Sequence, residues 1–415
     1  MGWPRPSTRF CVFLTLLNDR LGESIVFPLL PFLLASFTSD GRTLGLLAGS
    51  YALAQFLFTP LIGALSDRFG RRPVIAGCVA GSVLGLGGFA LTLAVPWPLG
   101  SAWPLPLLFV ARLIDGVSGG TAATAGAVLA DISPPEKRAK AFGLIGVAFG
   151  VGFMLGPALG GLLAEISLSL PLLVAVAVAA LNLVLVLTAL PETHPPEARQ
   201  ALPRKRELNL LTQLGKVFSN PQVRRLCVAF FLFFLAFNGF TAVLVLYFKE
   251  MFGWGPGLSA AAFLVVGVVA TLVQGGLIGP LVKRFGEWRL TMAGLGMVIA
   301  GTVLVPLATP ATAQPLVFIA VAVLAAGTGL VTPSLRSLVS RRLSSGGQGA
   351  ALGSLQGLQS LGSFIGPPLA GVAYELIGEK SPFWLSIVLL AAVAVLIAFG
   401  LPQAGAQRQA SALQK

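Results

Sequence analysis

Long apolar segments recur along the whole chain, and they restrict its fold more than any other feature. Stretches of apolar and small residues alternate with short polar joints from residue 10 to residue 401. A helix of about twenty such residues crosses the roughly 30 Å hydrocarbon core of a bilayer. Because lipid offers the backbone no hydrogen-bond partners, each segment is expected to be helical. With 55% hydrophobic and 10% charged residues, the chain is predicted to be an all-α polytopic membrane protein.

Twelve segments have this length, six on each side of a charged stretch. They run Phe10 to Leu34, Leu44 to Leu65, Val74 to Val95, Leu105 to Leu129, Ala141 to Ala164, Leu168 to Leu190, Leu226 to Phe248, Leu258 to Val282, Leu290 to Leu307, Leu316 to Leu338, Ala350 to Leu376 and Phe383 to Leu401. We expect an N-terminal six-helix bundle (1–190), a cytoplasmic central linker (191–225), a C-terminal six-helix bundle (226–401) and a cytoplasmic tail (402–415).

The positive residues indicate the orientation of these spans. If the N-terminus is cytoplasmic, twenty-three of the 28 Lys and Arg residues fall in inner segments, Arg336 among them. Only Arg42, Lys249 and Lys380 fall in outer loops. Positively charged loops stay on the cytoplasmic side, so we expect both termini inside and a multi-pass protein of the cell (inner) membrane. The net charge of +13 does not indicate nucleic acid, because the basic residues form no single patch.

The chain also repeats itself. GALSDRFGRR at 63–72 aligns with GPLVKRFGEW at 279–288, an offset of 216 residues. A second pair, 142–165 and 352–375, aligns at an offset of 210. Two matches in the same order predict pseudo-symmetric halves, an architecture in which a central site between the halves alternates its access.

The first repeat carries a family resemblance. GALSDRFGRRP at 63–73, between helices 2 and 3, resembles the signature of the major facilitator superfamily. Further positions are similar to the drug:proton antiporters, and especially to the tetracycline-efflux branch. These are Asp19, Gly22, Pro28, Pro31, Arg112, Gly116, the ADI and basic loop at 130–140, and GPALGG at 156–161. The resemblance implies the twelve-helix fold of that superfamily and proton-driven export of small molecules.

Two motifs follow from this resemblance. The cytoplasmic gating motif comprises Gly63, Asp67, Arg68, Gly70, Arg71 and Arg72. Its acid is expected to hold a helix N-terminus or a neighbouring Arg in one conformation, a latch of about 1 to 2 kcal/mol, against the alternative of a solvated loop. The helix-5 antiporter motif comprises Gly152, Gly156, Pro157, Gly160 and Gly161. Three of its glycines lie four residues apart on one face, which favours close approach of a neighbouring helix, and packing alone is the alternative.

Charged residues inside the predicted spans are the strongest candidates for coupling. A charge at mid-membrane costs about 2.5 to 3.5 kcal/mol and usually marks a pathway or relay. Asp19 and Glu23 share a face of helix 1 and are the predicted proton sites, while Arg112 in helix 4 is expected to compete with protons for them. Asp115 is a candidate contact for a cationic substrate. The alternative is a static network that pairs Arg20 with Glu23 and Arg112 with Asp19.

The C-terminal half offers neutral groups instead. Asn238, Gln274, Gln356 and Gln359 are the candidate substrate contacts there, beside a Phe-rich segment from Phe230 to Phe240. An apolar wall of this kind suits a lipophilic ligand. Glu23 and Asp115 are charged where the tetracycline branch is usually uncharged, and helix 9 lacks that branch's acid, which argues against tetracycline itself as the substrate.

We therefore predict a secondary active transporter, a proton-coupled antiporter that exports lipophilic or amphipathic small molecules by alternating access. A proton-coupled carrier of sugars or organic acids is the first alternative, and a non-transporting membrane receptor or lipid-handling protein on the same scaffold is the second. We expect no enzyme activity, a monomer, and partners limited to substrate, protons and lipid. No cofactor is expected and the proton gradient supplies the energy. Neither the three cysteines nor the lone His194 has the spacing of a metal site.

Overall fold

A computed structural model describes residues 8–98, 101–133, 138–199, 221–340 and 348–400. Within these ranges the secondary structure is helical throughout. The helices are α1 (Thr8–Val26), α2 (Leu30–Leu33), α3 (Gly41–Phe69), α4 (Arg71–Ala94), α5 (Pro104–Ser118), α6 (Thr121–Asp131), α7 (Arg138–Ile166), α8 (Leu170–Ala189), α9 (Pro221–Phe252), α10 (Pro256–Leu272), α11 (Ile278–Phe285), α12 (Glu287–Leu307), α13 (Ala313–Ser340), α14 (Gln348–Ile377) and α15 (Ser381–Gly400).

These helices form twelve spans, as the sequence predicts. Nine helices in the described ranges are long and apolar enough to cross a membrane. The first span falls outside that set because any membrane-length window of α1 includes Asp19, Arg20 and Glu23. The observed bounds lie within a few residues of the expected ones. The largest difference is α9, which begins at Pro221 rather than at Leu226.

Three of the spans are interrupted by irregular turns, which the apolar segments of the sequence do not predict. A 3-10 turn at Phe27–Leu29 separates α1 from α2, and Gly119 and Gly120 separate α5 from α6. A π-helical turn at Val273–Leu277 joins α10 to α11. Irregular turns of this kind are frequent at functional sites.

The repeated motif has the same backbone geometry in both halves. Gly70 ends α3 and precedes α4 with φ of 104°, and Gly286 ends α11 and precedes α12 with φ of 78°. Both angles lie in the left-handed region that glycine adopts without steric cost. The two repeats, 216 residues apart in the sequence, therefore form equivalent turns.

The hydrophobic core divides differently at the two ends of the bundle. We call the end that carries Arg71 and Glu287 the basic end, and the end that carries Gly41 and Glu375 the closed end. Among the described residues, one core at the closed end joins both halves, from Leu29 and Leu47 to Phe240 and Phe383. Two separate cores lie toward the basic end, one in each half. The halves therefore share an interior at one end only.

Close backbone contacts between the halves also occur at the closed end. At the closed end a Cβ on Gly45 would overlap the Pro367 carbonyl, and one on Gly371 would overlap the Gly41 carbonyl. Toward the basic end, a Cβ on Gly63 or Gly279 would meet nothing within 4 Å. Small residues let helices approach closely, and the backbones of α3 and α14 are in contact at the closed end.

Candidate functional site

Three charged side chains of α1 form an ion-pair cluster in the N-terminal half. Arg20 Nη2 lies 2.8 Å from Asp19 Oδ2, and Arg20 Nη1 donates to Glu23 Oε2. Asp19 and Arg20 are each 7% exposed, whereas Glu23 is 28% exposed. Because Asp19 and Glu23 lie one and three residues from Arg20, a single guanidinium pairs with both carboxylates.

A second pair on α5 faces this cluster. Arg112 Nη1 lies 3.6 Å from Asp115 Oδ2, and both side chains are almost fully buried. The Arg112 guanidinium also lies over the rings of Tyr51 and Phe89, at 5.5 and 5.8 Å from their centroids. Of the two ion pairs in the static-network alternative, Arg20 with Glu23 is present and Arg112 with Asp19 is not. Arg112 instead pairs with Asp115, which lies three residues further along the same face of α5.

A small cavity brings the three carboxylates of these two clusters together. Asp19, Glu23 and Asp115 line it with Tyr51 and Asn182, and its volume is about 10 Å³. That is about the space that one water molecule needs, and water is held where polar groups surround it. The geometry therefore allows a proton or a single water to be shared among acids from α1 and α5.

The glycines of α7 fix the position of α1. A Cβ on Gly152, Gly156 or Gly160 would overlap α1 at residues 20, 24 and 25 respectively. The Ser24 hydroxyl donates to the Gly152 carbonyl at 2.9 Å. Gly161 faces the other way, where a Cβ would overlap Ala260 of the C-terminal half. The helix-5 antiporter motif, which lies on α7, is therefore packed between α1 and the C-terminal half. Pro157 also lies within α7.

The polar candidates of the C-terminal half are dispersed. Asn238 donates to the carbonyl of Phe234 in its own helix at 2.8 Å, and Gln274 is exposed on the π-helical turn. Gln359 accepts a hydrogen bond from Arg336. The side chain of Gln356 lies outside the described residues. None of these hydrogen bonds therefore joins Asn238, Gln274 and Gln359 to one another.

The Phe-rich segment of α9 packs ring against ring. Consecutive contacts link Phe230, Phe233, Phe234, Phe237 and Phe240, with centroids 4.8 to 6.2 Å apart. Phe230, Phe233 and Phe240 are fully buried, and Phe237 is only partly so. Most of this segment therefore belongs to the core of the C-terminal half.

The cytoplasmic gating motif is held within the N-terminal half. Arg71 bridges two acids, with Nη1 2.5 Å from Asp67 Oδ1 and Nε 3.1 Å from Asp131 Oδ2. Arg68 and Arg72 are not part of this bridge; the Arg72 side chain donates to the Leu187 carbonyl. Asp67 thus contacts a neighbouring Arg, one of the two partners expected for it, and not a helix N-terminus.

A different acid occupies the N-terminus of α4. Glu192 accepts from the backbone N–H groups of Arg71 and Arg72 at 2.9 and 3.1 Å. Partial burial acts to raise the pKa of Glu192, but backbone N–H donors at His194, Arg71, Arg72 and Thr193 outweigh it and hold the pKa below its ordinary value. Glu192 therefore stabilises the start of α4 in its ionised form.

Two of these contacts are not predictable from the sequence. Glu192 lies in the loop after α8 and Asp131 is the last residue of α6, and their approach to α4 depends on the folded bundle. Arg336 was counted with the inner loops, but it lies inside α13, where it is half-buried. Its place within its own helical window was the available signal. Within the described residues, no cluster of His, Cys, Asp and Glu has the composition of a metal site.

The fold and these motifs define the class of the protein. The family model of the Major Facilitator Superfamily matches residues 12–364, and the chain belongs to that family. It is therefore a membrane transporter and not an enzyme.

Particular relatives are similar over almost the whole chain. The tetracycline resistance protein, class C, of Escherichia coli is 35% identical over 364 residues, which cover 87% of this chain and 88% of that protein. The quinolone resistance protein NorA of Staphylococcus aureus is 28% identical, covering 94% and 95%. Among solved structures, the human organic anion transporter MFSD10 (TETRAN) superposes with a TM-score of 0.72 at 27% identity, covering 95% of this chain and 100% of that one.

Proposed function

We propose that the chain is a proton-coupled antiporter that exports lipophilic or amphipathic small molecules. The observation that carries this proposal is the balance of charge in the N-terminal half. Three buried or half-buried carboxylates, Asp19, Glu23 and Asp115, line one small cavity, and two guanidiniums, Arg20 and Arg112, pair with them. With all five ionised, the cluster carries one uncompensated negative charge.

An uncompensated charge in a low-dielectric interior favours proton uptake. One proton neutralises the cluster, and its release restores a site for a positive or polarised group. Asp19 and Glu23 are the proposed proton sites because they share the Arg20 guanidinium. Its single positive charge can neutralise only one of the two carboxylates. Glu23 is the more exposed of the two and provides the route for exchange with water. Arg112 is the group that competes with the proton.

We assign the basic end to the cytoplasm, since positively charged segments remain on that side. The shared core at the closed end then separates the pathway from the outside, and the two separate cores leave the halves apart toward the cytoplasm. In a bacterial cell this is an inner-membrane protein that captures its substrate from the inside. A single chain holds both halves of the pathway, so a monomer is sufficient for transport.

The names of two relatives support drugs as the exported class. Both the class C tetracycline resistance protein and NorA are named for resistance to antibiotics. A transporter can confer such resistance by exporting a compound that enters through the lipid phase. The proposed substrates of this chain are therefore membrane-permeable compounds with a large apolar surface, for which Phe237 is the partly exposed ring of the α9 segment.

Substrate-induced proton release from purified protein tests the proposal. A pH indicator in weakly buffered detergent solution should report proton release when a candidate lipophilic compound is added to wild type. Asp19→Asn and Glu23→Gln should each reduce the release by at least half, while Asp40→Asn, at the exposed N-cap of α3, should leave it unchanged. Release that survives both substitutions would exclude this pair as the proton site.

A further inference from the structure

A buried amide on α8 borders the small cavity of the carboxylate cluster. Asn182 is 1% exposed and lines this cavity together with Ala179, which lies three residues earlier on the same face of α8. Its amide nitrogen Nδ2 donates to the Thr15 carbonyl of α1 at 3.2 Å. Thr15 lies one turn before Asp19 on the same face of α1. Asn182 therefore brings a third helix to the acids of α1 and α5.

The bond to Thr15 determines which atom of the Asn182 amide faces away from α1. A backbone carbonyl can only accept hydrogen bonds, so Nδ2 and not Oδ1 must point toward it. Oδ1 is buried and meets no hydrogen-bond donor among the described residues. A buried acceptor without a donor is unfavourable, and most such atoms in folded proteins have a protein or water partner. The amide oxygen therefore needs a donor that the described side chains do not supply.

The cavity beside the Asn182 amide favours water as that donor. Its volume is about 10 Å³, close to the space that one water molecule needs, and polar groups surround it. The ionised carboxylates of Asp19, Glu23 and Asp115 can only accept hydrogen bonds, so none of them can satisfy the amide oxygen. The two guanidiniums of the cluster are paired with these acids. A water molecule, by contrast, can donate one O–H to the amide oxygen and the other to a carboxylate.

We propose that Asn182 is a positioning residue that holds this water as the carrier of protons between the acids of α1 and α5. The amide oxygen accepts one O–H of the water, which directs the second O–H and the lone pairs toward the acids. A carboxylic acid on one helix gives its proton to the water oxygen while the water gives a different proton to a carboxylate on the other helix. The water is regenerated by this exchange. The inference rests on the proposed proton coupling and adds the group through which the cluster exchanges its proton.

Asn182→Val and Asn182→Thr are a matched pair of variants for this proposal. Both lose the amide N–H that reaches the Thr15 carbonyl, and they have nearly the same shape, so a structural loss is common to both. The threonine hydroxyl can donate to the preceding turn of its own helix and still accept from water, whereas valine offers no acceptor. Thr188→Val is the control on α8, because the exposed Thr188 hydroxyl bonds only to the Val184 carbonyl of the same helix.

Infrared difference spectroscopy detects the bound water directly. Spectra of the full-length protein in lipid, taken between low and high pH, should be recorded in ordinary water and in oxygen-18 water. Wild type, Asn182→Thr and Thr188→Val should show an O–H band that shifts with the isotope, and Asn182→Val should lack it. An identical band in Asn182→Val and wild type would overturn the assignment of the water to this amide, as would a wild type without the band.

The rate of proton release separates a positioning role from a structural one. Tetraphenylphosphonium is the probe, because a lipophilic cation suits the one uncompensated negative charge of the cluster, and release should be followed by stopped flow. In Asn182→Val the release should slow by about fivefold or more, as loss of one buried hydrogen bond implies, while its amplitude per folded protein stays at the wild-type level. Asn182→Thr should stay close to the wild-type rate. Equal slowing in both variants, or a lower amplitude at an unchanged rate, would overturn the positioning role.

The two measurements distinguish this inference from the proposed function. If wild type releases no proton with the probe but shows a water band that depends on Asn182, the water site stands and the proposed coupling fails. If Asn182→Val releases protons at the wild-type rate, the proposed coupling stands and the water carrier is overturned.

Discussion

Individual charged residues carry most of the function proposed for this transporter. The N-terminal half gathers three acids and two guanidiniums around one small cavity. This cluster is consistent with proton handling in that half.

Glu192 gives a prediction at the scale of one residue. Glu192→Gln should lower the free energy of unfolding by about 0.5 to 1 kcal/mol at pH 7, a modest loss because the capping carboxylate is exposed. Since its folded pKa is below the usual value, the contribution is complete above the unfolded pKa of about 4.3. It disappears as the pH falls through the lower folded value. Thermal unfolding of both proteins in detergent at pH 7 and pH 3 measures the difference.

The control for this prediction is Glu197→Gln, an exposed acid a few residues further on that caps no helix in the described residues. It should melt with the wild type at both pH values. A Glu192→Gln difference that does not decrease between pH 7 and pH 3 would show that the carboxylate charge is not the cause.

The helices themselves were predictable from the sequence, but their interruptions and rotations were not. Apolar length determines a span, so all twelve windows match observed helices to within a few residues. The shared face of Asp19 and Glu23 follows from helical periodicity alone. The partner of Arg112 does not, because it depends on how α5 is rotated against its neighbours. The breaks at Gly119 and at the π-helical turn likewise depend on tertiary packing.

Close packing of α7 on α1 gives a prediction at the scale of an element. Gly156→Ala should lower the free energy of unfolding by about 1 to 3 kcal/mol, since the added methyl overlaps Ser24 in a packed interface. Gly87→Ala is the matched control, because a Cβ there meets nothing within 4 Å. Its effect should be neutral or stabilising by up to about 1 kcal/mol, as for glycine in an unobstructed helix. Urea or thermal denaturation followed by tryptophan fluorescence compares the two, and equal effects would contradict the packing.

The whole molecule is arranged for movement of one half against the other. The shared core and the overlapping glycines hold the halves together at the closed end, where Glu375 Oε1 also accepts from the Gly41 N–H of the other half at 2.5 Å. Lys249 donates to the Pro31 carbonyl across the same boundary at 3.4 Å. Alternating access requires these contacts to separate while equivalent ones form at the basic end.

A disulfide between α3 and α14 tests this movement. In a variant whose three buried cysteines are replaced by serine, Gly41→Cys with Gly371→Cys should cross-link under mild oxidation, since those backbones are in contact. Transport should fall below about a tenth of wild type, because a disulfide holds its two Cα atoms within about 7 Å, and recover with reductant. Gly63→Cys with Gly279→Cys, at the basic end, should cross-link poorly. Full transport with the closed-end disulfide intact would contradict alternating access through that end.

Coupling of proton transport to substrate transport is tested directly by two assays in proteoliposomes. Proteoliposomes should be assayed for accumulation of a substrate driven by a pH gradient and for exchange of labelled against unlabelled substrate without a gradient. Asp19→Asn and Glu23→Gln are each expected to abolish the driven accumulation while retaining at least half of the wild-type exchange, because the substrate still binds and the halves still move. Driven accumulation at the wild-type level in both variants would contradict proton coupling through the α1 acids.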